Sequence, residues 1–315
     1  MNDKQLAANL VNEVKKAVVG KDDVIIRTLL AILARGHILL EDIPGVGKTT
    51  MALAFSRALG LTCRRVQFTP DVMPSDLTGF TLYNKATGQM EYQPGALLCN
   101  LFLADELNRA TSRTQSALLE AMEEGQITVD GVTRAIPDPF LVIATQNPVG
   151  ASGTQLLPDS QLDRFAIRLS IGYPSARDEL ELLRRKQRGN PLDDVCQIMD
   201  HRQLAQLRGQ ADSVYVDDDL LGYIVRLVQT TREHPQLLQG ASPRAAIAVT
   251  ALSRATAFLR GRDFVIPEDV QYIWTDAIAH RLILPTGTAG SSELTRSIAE
   301  DVLRSVRPPR IGKRL

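Results

Sequence analysis

Hydrophobic and polar positions along this chain follow two periods. Residues 3–17 and 22–35 carry apolar side chains at helical spacing, which predicts two amphipathic helices. Short apolar runs follow and alternate with further helical patterns. These runs cover residues 37–41, 63–68, 96–106, 140–147 and 165–171. Five such runs, most of them buried on both faces, predict a parallel five-stranded sheet with helices on both sides, which is an α/β fold.

The pattern becomes almost purely helical from residue 176 onward. Gly172 and Pro174 interrupt regular structure just before this point, so we expect a domain boundary here. The prediction is an α/β domain over residues 1–173 and a smaller all-helical domain with a basic tail over residues 174–315.

Composition narrows the classes of partner. The chain has 36 Lys and Arg residues and 36 Asp and Glu residues, so no net positive field draws it to nucleic acid or to an anionic membrane. No apolar run approaches the roughly 20 residues that a membrane-spanning helix needs. We therefore expect a cytoplasmic protein without membrane insertion, and nucleic acid is not the expected partner.

The stretch EDIPGVGKTT, residues 41–50, lies between a predicted strand and a predicted helix. Backbone N–H groups bind phosphate in such a setting, and the helix N-terminus favours negative charge. Gly45 and Gly47 allow close approach of the backbone, and Lys48 supplies positive charge. Thr49 supplies the hydroxyl that ligates Mg²⁺ in such loops. The stretch therefore predicts a phosphate site.

One position departs from the phosphate-loop pattern. Asp42 stands where the strict pattern has its first glycine. One unit of repulsion at about 8 Å from phosphate is worth roughly 2 kcal/mol at an effective dielectric constant near 20. Because Asp42 directly follows a predicted strand, we expect its side chain to point away from the nucleotide.

A second motif, LFLADE, is an apolar strand that delivers Asp105 and Glu106 at its carboxyl end. In phosphate-loop ATPases the aspartate holds Mg²⁺ and the glutamate polarises the attacking water. Asn147 ends the next predicted strand, where it would orient that water if the two strands are neighbours. The alternative is that Asn147 only forms the turn before Pro148.

These motifs resemble those of the AAA+ ATPases, and more narrowly of the MoxR family, over nearly the whole chain. VVGKDDVI, at 18–25, resembles the segment that contacts adenine, and ATQNP resembles the sensor-one segment. LDRF resembles the arginine-finger segment, which implies that Arg164 acts on a neighbouring subunit. SPRA resembles the sensor-two segment, which implies that Arg244 has the sensor-two role. Without the resemblance, each arginine is better explained by a surface ion pair.

The resemblance implies three sets of site residues. It places Val19, Gly20, Pro44, Gly45, Val46, Gly47, Lys48, Thr49 and Thr50 at ATP, and Thr49 and Asp105 at Mg²⁺. The catalytic residues that it implies are Lys48, Glu106, Asn147, Arg164 and Arg244.

Two predicted hairpins narrow the family further. Residues 76–97 fit a hairpin inserted into the second helix, with a turn near residues 86–88. Residues 124–140 contain two β-rich runs joined by Asp130 and Gly131, a strong hairpin signal. Both hairpins are typical of the clade that also holds the magnesium chelatase and MCM helicase motors.

The resemblance implies an ATPase that forms a ring, commonly a hexamer, with ATP between subunits. MoxR proteins resemble chaperones that mature or activate other complexes, often with a partner that carries a von Willebrand A domain. The main alternative is a nucleic-acid-dependent AAA+ motor, which the zero net charge disfavours. A small-molecule kinase leaves the helical domain unexplained, and a scaffold without turnover leaves Glu106 and Arg164 unexplained.

Overall fold

The computed structural model describes residues 3–43, 45–146, 157–285 and 291–310. Its strands are β1 (His37–Glu41), β2 (Cys63–Gln67), β3 (Gly79–Asn84), β4 (Gln89–Pro94), β5 (Leu101–Asp105), β6 (Gln126–Val129), β7 (Val132–Ala135), β8 (Leu141–Gln146) and β9 (Phe165–Leu169). Its α-helices are α1 (Asp3–Ala17), α2 (Asp22–Leu33), α3 (Lys48–Ala58), α4 (Pro74–Thr78), α5 (Ser112–Glu124), α6 (Asp159–Leu162), α7 (Ala176–Arg188), α8 (His201–Asp212), α9 (Asp218–Arg232), α10 (Pro243–Leu259), α11 (Pro267–Ile278) and α12 (Ser291–Ser305).

Five of the described strands form a parallel sheet in the order β2-β5-β8-β1-β9. β5 is buried along its whole length, and β1 and β8 are buried except at their ends. The predicted five-stranded parallel sheet is confirmed. Because the strands are parallel, the loops after β1 and β5 meet at the same edge of the sheet.

One predicted strand is shorter than its apolar run. The run begins at residue 96, but β5 begins only at Leu101. Ala96 and Leu97 instead donate backbone hydrogen bonds to Asp76 and Leu77, beside α4. Leu97 is fully buried there, so these apolar residues fill the space beneath an insertion rather than extend the strand.

Alternate residues of the central strands face two separate cores, as the strand period of two requires. Ile38 and Leu40 of β1 belong to the core that includes α1, α2, α3 and the helices from α8 to α12. Leu39 belongs to the core on the other face, which includes α5 and both hairpins. The sheet is therefore covered by helices on both faces, as predicted.

The chain after β9 is helical, from α7 to α12, as the sequence predicted. Trp274 of α11 is fully buried at the centre of this part, and its indole N–H donates to the carbonyl of Ala299 at 2.8 Å. Arg208 of α8 donates to the carbonyl of Ile32 at 2.8 Å and so ties this part to α2. No helix within the described ranges is both long and apolar enough to cross a membrane.

Both predicted hairpins are present. Strands β3 and β4 pair from Gly79 and Pro94 to Asn84 and Gln89. Strands β6 and β7 are joined by Asp130 and Gly131, whose φ angles of 52° and 76° are those of the tight turn that this dipeptide favours.

Candidate active site

The loop after β1 has the backbone that a phosphate site needs. Gly45 and Gly47 have φ angles of 87° and 98°, which L side chains rarely adopt. A Cβ atom at either glycine would meet no atom within 4 Å, so the left-handed backbone, and not crowding, requires glycine here. Helix α3 begins at Lys48, directly after Gly47. Its first N–H groups lack intrahelical partners and favour an anion at this end.

Lys48 is 7% exposed, and its ammonium donates to the carbonyl of Asp42 at 2.5 Å. Burial lowers the pKa of Lys48 from its ordinary value of 10.5, while the negative charges of Asp42, Asp105 and Glu106 oppose that shift. The loop backbone and the acidic strand end therefore hold the ammonium at one position.

The carboxylate of Asp42 is turned toward the chain that follows β9. One of its oxygens accepts hydrogen bonds from the Ser170 hydroxyl and the Gly172 N–H, each at 3.1 Å, and from the Ile171 N–H. These donors agree with the expectation that Asp42 points away from the nucleotide. The first position of the loop thus fastens β1 to the end of β9.

Asp105, at the carboxyl end of β5, is held from several sides. Its Oδ1 accepts from the Thr145 hydroxyl on the neighbouring β8 at 2.6 Å. Its Oδ2 lies 3.4 Å from the Thr49 hydroxyl, so the two predicted Mg²⁺ ligands are close together. Carboxylate and hydroxyl oxygens are hard donors that suit Mg²⁺, and the pair fits that ion.

Glu106 begins the turn after β5 with a left-handed φ of 56°. Such a backbone costs a residue other than glycine about 1 to 2 kcal/mol, so the surroundings must hold it in place. Its N–H donates to the Thr145 hydroxyl at 2.9 Å, and its carboxylate accepts from Arg109 at 3.0 Å. The turn brings Asp105 and Glu106 to the same cavity.

The phosphate loop and the acidic strand end share a cavity of about 330 Å³. It is lined by Gly45, Gly47, Lys48, Thr49, Thr50, Arg65, Gln67, Asp105 and Glu106.

Several polar residues around this cavity escaped the sequence reasoning. They are Arg65 and Gln67 on β2, Thr145 on β8, and Arg109 in the turn Leu107–Arg109. Thr145 stands two residues before Asn147, and Arg109 stands three residues after Glu106. Only the order of the strands, which the sequence did not predict, could have pointed to Arg65.

Other predicted ATP contacts are placed elsewhere or are not described. Pro44 and Asn147 lie outside the described residues. Val46 is partly buried against the core that contains α3. Val19 and Gly20 lie in the turn between α1 and α2 and do not line the cavity of Lys48.

Gly20 closely approaches the start of α7. A Cβ atom at Gly20 would lie 2.2 Å from the carboxyl group of Asp178. The neighbouring Lys21 donates to the carbonyl of Tyr173 at 2.8 Å. The predicted adenine segment therefore packs against the segment that joins the sheet to the helical part.

Arg164 and Arg244 are brought together on one carboxylate. Arg164 lies 3.2 Å from one oxygen of Glu123, at the end of α5, and Arg244 pairs with the other oxygen. Arg164 directly precedes β9, whereas Lys48 follows β1. The strands β1 and β9 are parallel neighbours of five residues each. Arg164 and Lys48 therefore lie at opposite ends of these strands, about 15 Å or more apart.

Comparison with known proteins agrees with this architecture. A family model described as an ATPase family associated with various cellular activities (AAA) matches residues 37–167, and an AAA lid domain model matches residues 229–304. The crystal structure of an ATPase candidate from Cytophaga hutchinsonii is similar with a TM-score of 0.89 at 38% identity, covering 98% of this chain and 96% of that chain.

Two curated relatives match almost the whole of this chain. YeaC of Bacillus subtilis is 43% identical over 304 residues, which cover 96% of this chain and 95% of that protein. Chaperone MoxR1 of Mycobacterium tuberculosis is 39% identical over 309 residues, which cover 95% of this chain and 81% of that protein.

A parallel sheet with a phosphate loop, an acidic strand end and a helical lid defines the class as AAA+ ATPase. Family models and structural similarity agree on that class. Within it, the chain belongs to the MoxR family, whose member from Mycobacterium tuberculosis is similar over 95% of this chain.

Proposed function

We propose that this protein hydrolyses ATP at the cavity shared by the phosphate loop and the end of β5. The observation that carries the proposal is the convergence of Lys48, Thr49, Asp105 and Glu106 on one cavity. In this assignment Lys48 and the loop N–H groups bind the phosphates, and Glu106 takes the proton of the attacking water. Thr49 and Asp105 would hold Mg²⁺, which neutralises phosphate charge when bound.

The remaining predicted ligands keep their proposed roles. Thr50 lines the same cavity and supports phosphate binding. Asn147 is assigned to orient the water, and Val19 and Gly20 to contact adenine. These assignments rest on the family resemblance together with the position of the cavity.

Subunits are proposed to share their ATP sites within a ring, commonly a hexamer. Arg164 and Arg244 lie at the edge of the sheet opposite to Lys48, so they are too far from the cavity of their own chain. A neighbour in a ring would bring this edge to its own bound ATP, where arginine charge stabilises the transition state. In this proposal Arg164 has the arginine-finger role and Arg244 has the sensor-two role.

The ATPase cycle is proposed to remodel or activate a protein complex in the cytoplasm. The name of the relative Chaperone MoxR1 supports this part of the proposal. The family resemblance adds a partner with a von Willebrand A domain. We place the boundary between the sheet domain and the helical lid at residues 173 and 174, between β9 and α7.

Replacement of Glu106 by Gln tests the ATPase assignment. The variant should bind ATP with unchanged affinity, because the substitution leaves the phosphate loop and Lys48 intact. Turnover should fall by about 10²-fold or more, because the base that activates water is lost. Phosphate release and binding of a fluorescent ATP analogue measure the two quantities.

The matched control is Glu233→Gln, at an exposed position after α9, which should turn over ATP like the unchanged protein. If Glu106→Gln hydrolyses ATP at the unchanged rate, Glu106 is not the base and the assignment is wrong.

A further inference from the structure

Among the charged residues that line the cavity, Arg65 is the one that the proposed mechanism leaves without a role. It lies in the middle of β2, the edge strand next to β5. Its guanidinium contacts Oδ2 of Asp105 through two nitrogens, Nη2 at 2.7 Å and Nε at 3.1 Å. Nη2 also donates to the side-chain oxygen of Gln67 at 3.1 Å. The arginine is thus fixed on the carboxylate that is proposed to hold the metal.

The carboxylate of Asp105 has two oxygens with different surroundings. Oδ1 accepts the short hydrogen bond of the Thr145 hydroxyl. Oδ2 faces the Thr49 hydroxyl, the other proposed metal ligand. Arg65 binds Oδ2, so the guanidinium covers the oxygen on the metal side of the carboxylate.

We propose that Arg65 is a competing cation at the metal site, and that a divalent ion must displace its guanidinium to reach Asp105. The proposal rests on the proposed function, because that function makes Thr49 and Asp105 the metal ligands. Two cations repel each other at one carboxylate oxygen, so the ion pair opposes binding of the metal there. A divalent ion alone should therefore bind weakly.

ATP should shift this competition in favour of the metal. Its phosphates add oxygen ligands for the ion and offer a new anion to the displaced arginine. The side chain of Arg65 is 49% exposed, so it can leave Asp105 without disturbing the core. Arg65 thereby makes divalent-ion binding depend on the nucleotide.

The neighbouring arginine provides a matched control. Arg64 precedes Arg65 on β2, and successive side chains of a strand point to opposite faces. Arg64 donates to the carbonyl of Gly95 at 3.1 Å, on the side of the first hairpin. Replacing either arginine removes one positive charge from β2, but only the loss of Arg65 uncovers Asp105.

Mn²⁺ binding to the nucleotide-free, full-length protein tests the proposal, with free Mn²⁺ measured by electron paramagnetic resonance. Arg65→Gln should bind Mn²⁺ about tenfold more tightly than the unchanged protein, a gain of about 1.4 kcal/mol. Arg64→Gln should bind like the unchanged protein. Adding Asp105→Asn to Arg65→Gln should abolish the gain, because the uncovered carboxylate is then missing.

Arg65→Met provides a second variant, which keeps an unbranched side chain but removes its charge and its hydrogen-bond donors. Thermal unfolding shows which variant is folded, and the Mn²⁺ titration is evaluated on that variant. Unchanged or weaker Mn²⁺ binding in a folded variant overturns the proposal. An equal gain in Arg64→Gln also overturns the proposal, because loss of any positive charge on β2 would then raise the affinity for Mn²⁺.

ATP turnover is measured separately, so the two proposals can fail independently. If the unchanged protein does not hydrolyse ATP but Arg65→Gln gains Mn²⁺ affinity, only the proposed function is contradicted. Normal turnover without that gain contradicts the role of Arg65 alone.

Discussion

Asp42 departs from the phosphate-loop pattern, and its carboxylate is bound by residues outside the loop. The carboxylate is 7% exposed and accepts three hydrogen bonds from residues 170–172. These bonds hold the carboxylate against the chain after β9, while its charge and its main-chain carbonyl both act on the ammonium of Lys48. The side chain of Asp42 therefore links the end of β1 to the end of β9.

Asp42→Gly should separate these two effects. The free energy of unfolding should fall by about 2 to 3 kcal/mol, because the Ile171 and Gly172 N–H groups lose their acceptor. Affinity for ATP should change by less than about tenfold, because the lost charge already points away from phosphate. Urea titration and binding of a fluorescent ATP analogue measure the two quantities.

Asp42→Asn keeps one acceptor oxygen and should lose less stability than Asp42→Gly. A rise in ATP affinity well beyond tenfold in either variant would show that the carboxylate acts on phosphate after all.

At the scale of the element, β1 is anchored by the histidine at its start. The Nδ1 atom of His37 accepts from the Val142 N–H at 3.0 Å, and Nε2 lies 3.1 Å from the carbonyl of Met122. An imidazole that accepts at one nitrogen and donates at the other must be neutral. Burial lowers the pKa of His37 from 6.5 to about 4, which agrees with this geometry.

This histidine should make the protein sensitive to acid. As pH falls below 6.5, the unfolded chain binds a proton at His37 before the folded chain does. Stability from this group is therefore present above pH 6.5 and is lost toward pH 4. Between pH 7 and pH 5 the contribution of His37 to the loss should be about 2 kcal/mol, and urea titrations of the unchanged protein and of a His37 variant at the two pH values would measure it.

In His37→Gln the loss of stability between the two pH values should shrink by that amount. His201→Gln, at an exposed position of α8, should keep the full loss. An unchanged pH dependence in His37→Gln would contradict the assignment of a neutral His37.

At the scale of the whole molecule, complementary parts of one proposed site lie at the two ends of the sheet's strands. One end has the cavity of Lys48, Asp105 and Glu106, and the other has Arg164 and Arg244 on the carboxylate of Glu123. Turnover is therefore expected to need an interface between two copies of the chain.

Arg164→Ala should lower turnover by about 10³-fold or more and leave ATP binding largely intact. Mixing it with Glu106→Gln subunits should restore activity, because some interfaces then combine an intact Glu106 with an intact Arg164. At equal amounts about a quarter of the interfaces in a closed ring should be of this kind.

Arg226→Ala, at an exposed position of α9, is the matched control and should turn over ATP normally. If no mixing ratio restores activity, the sites are not shared between subunits.

The sequence alone determined the elements of the sheet, both hairpins, the phosphate loop and the acidic strand end. These features depend on neighbouring residues, such as the alternation of β1 or the left-handed turn at Asp130 and Gly131. Local backbone preferences and periodicity act within a few residues, so they are visible in the chain itself.

Only the tertiary structure decided which other distant residues contact the predicted site residues. The strand order places β2 and β8 on either side of β5, and so brings Arg65 and Thr145 to Asp105. Packing of the lid likewise brings Arg244 to Glu123, 121 residues away in the sequence. Hydrogen-bond register and packing between such distant segments leave no trace in local periodicity, which is why these partners could not be predicted.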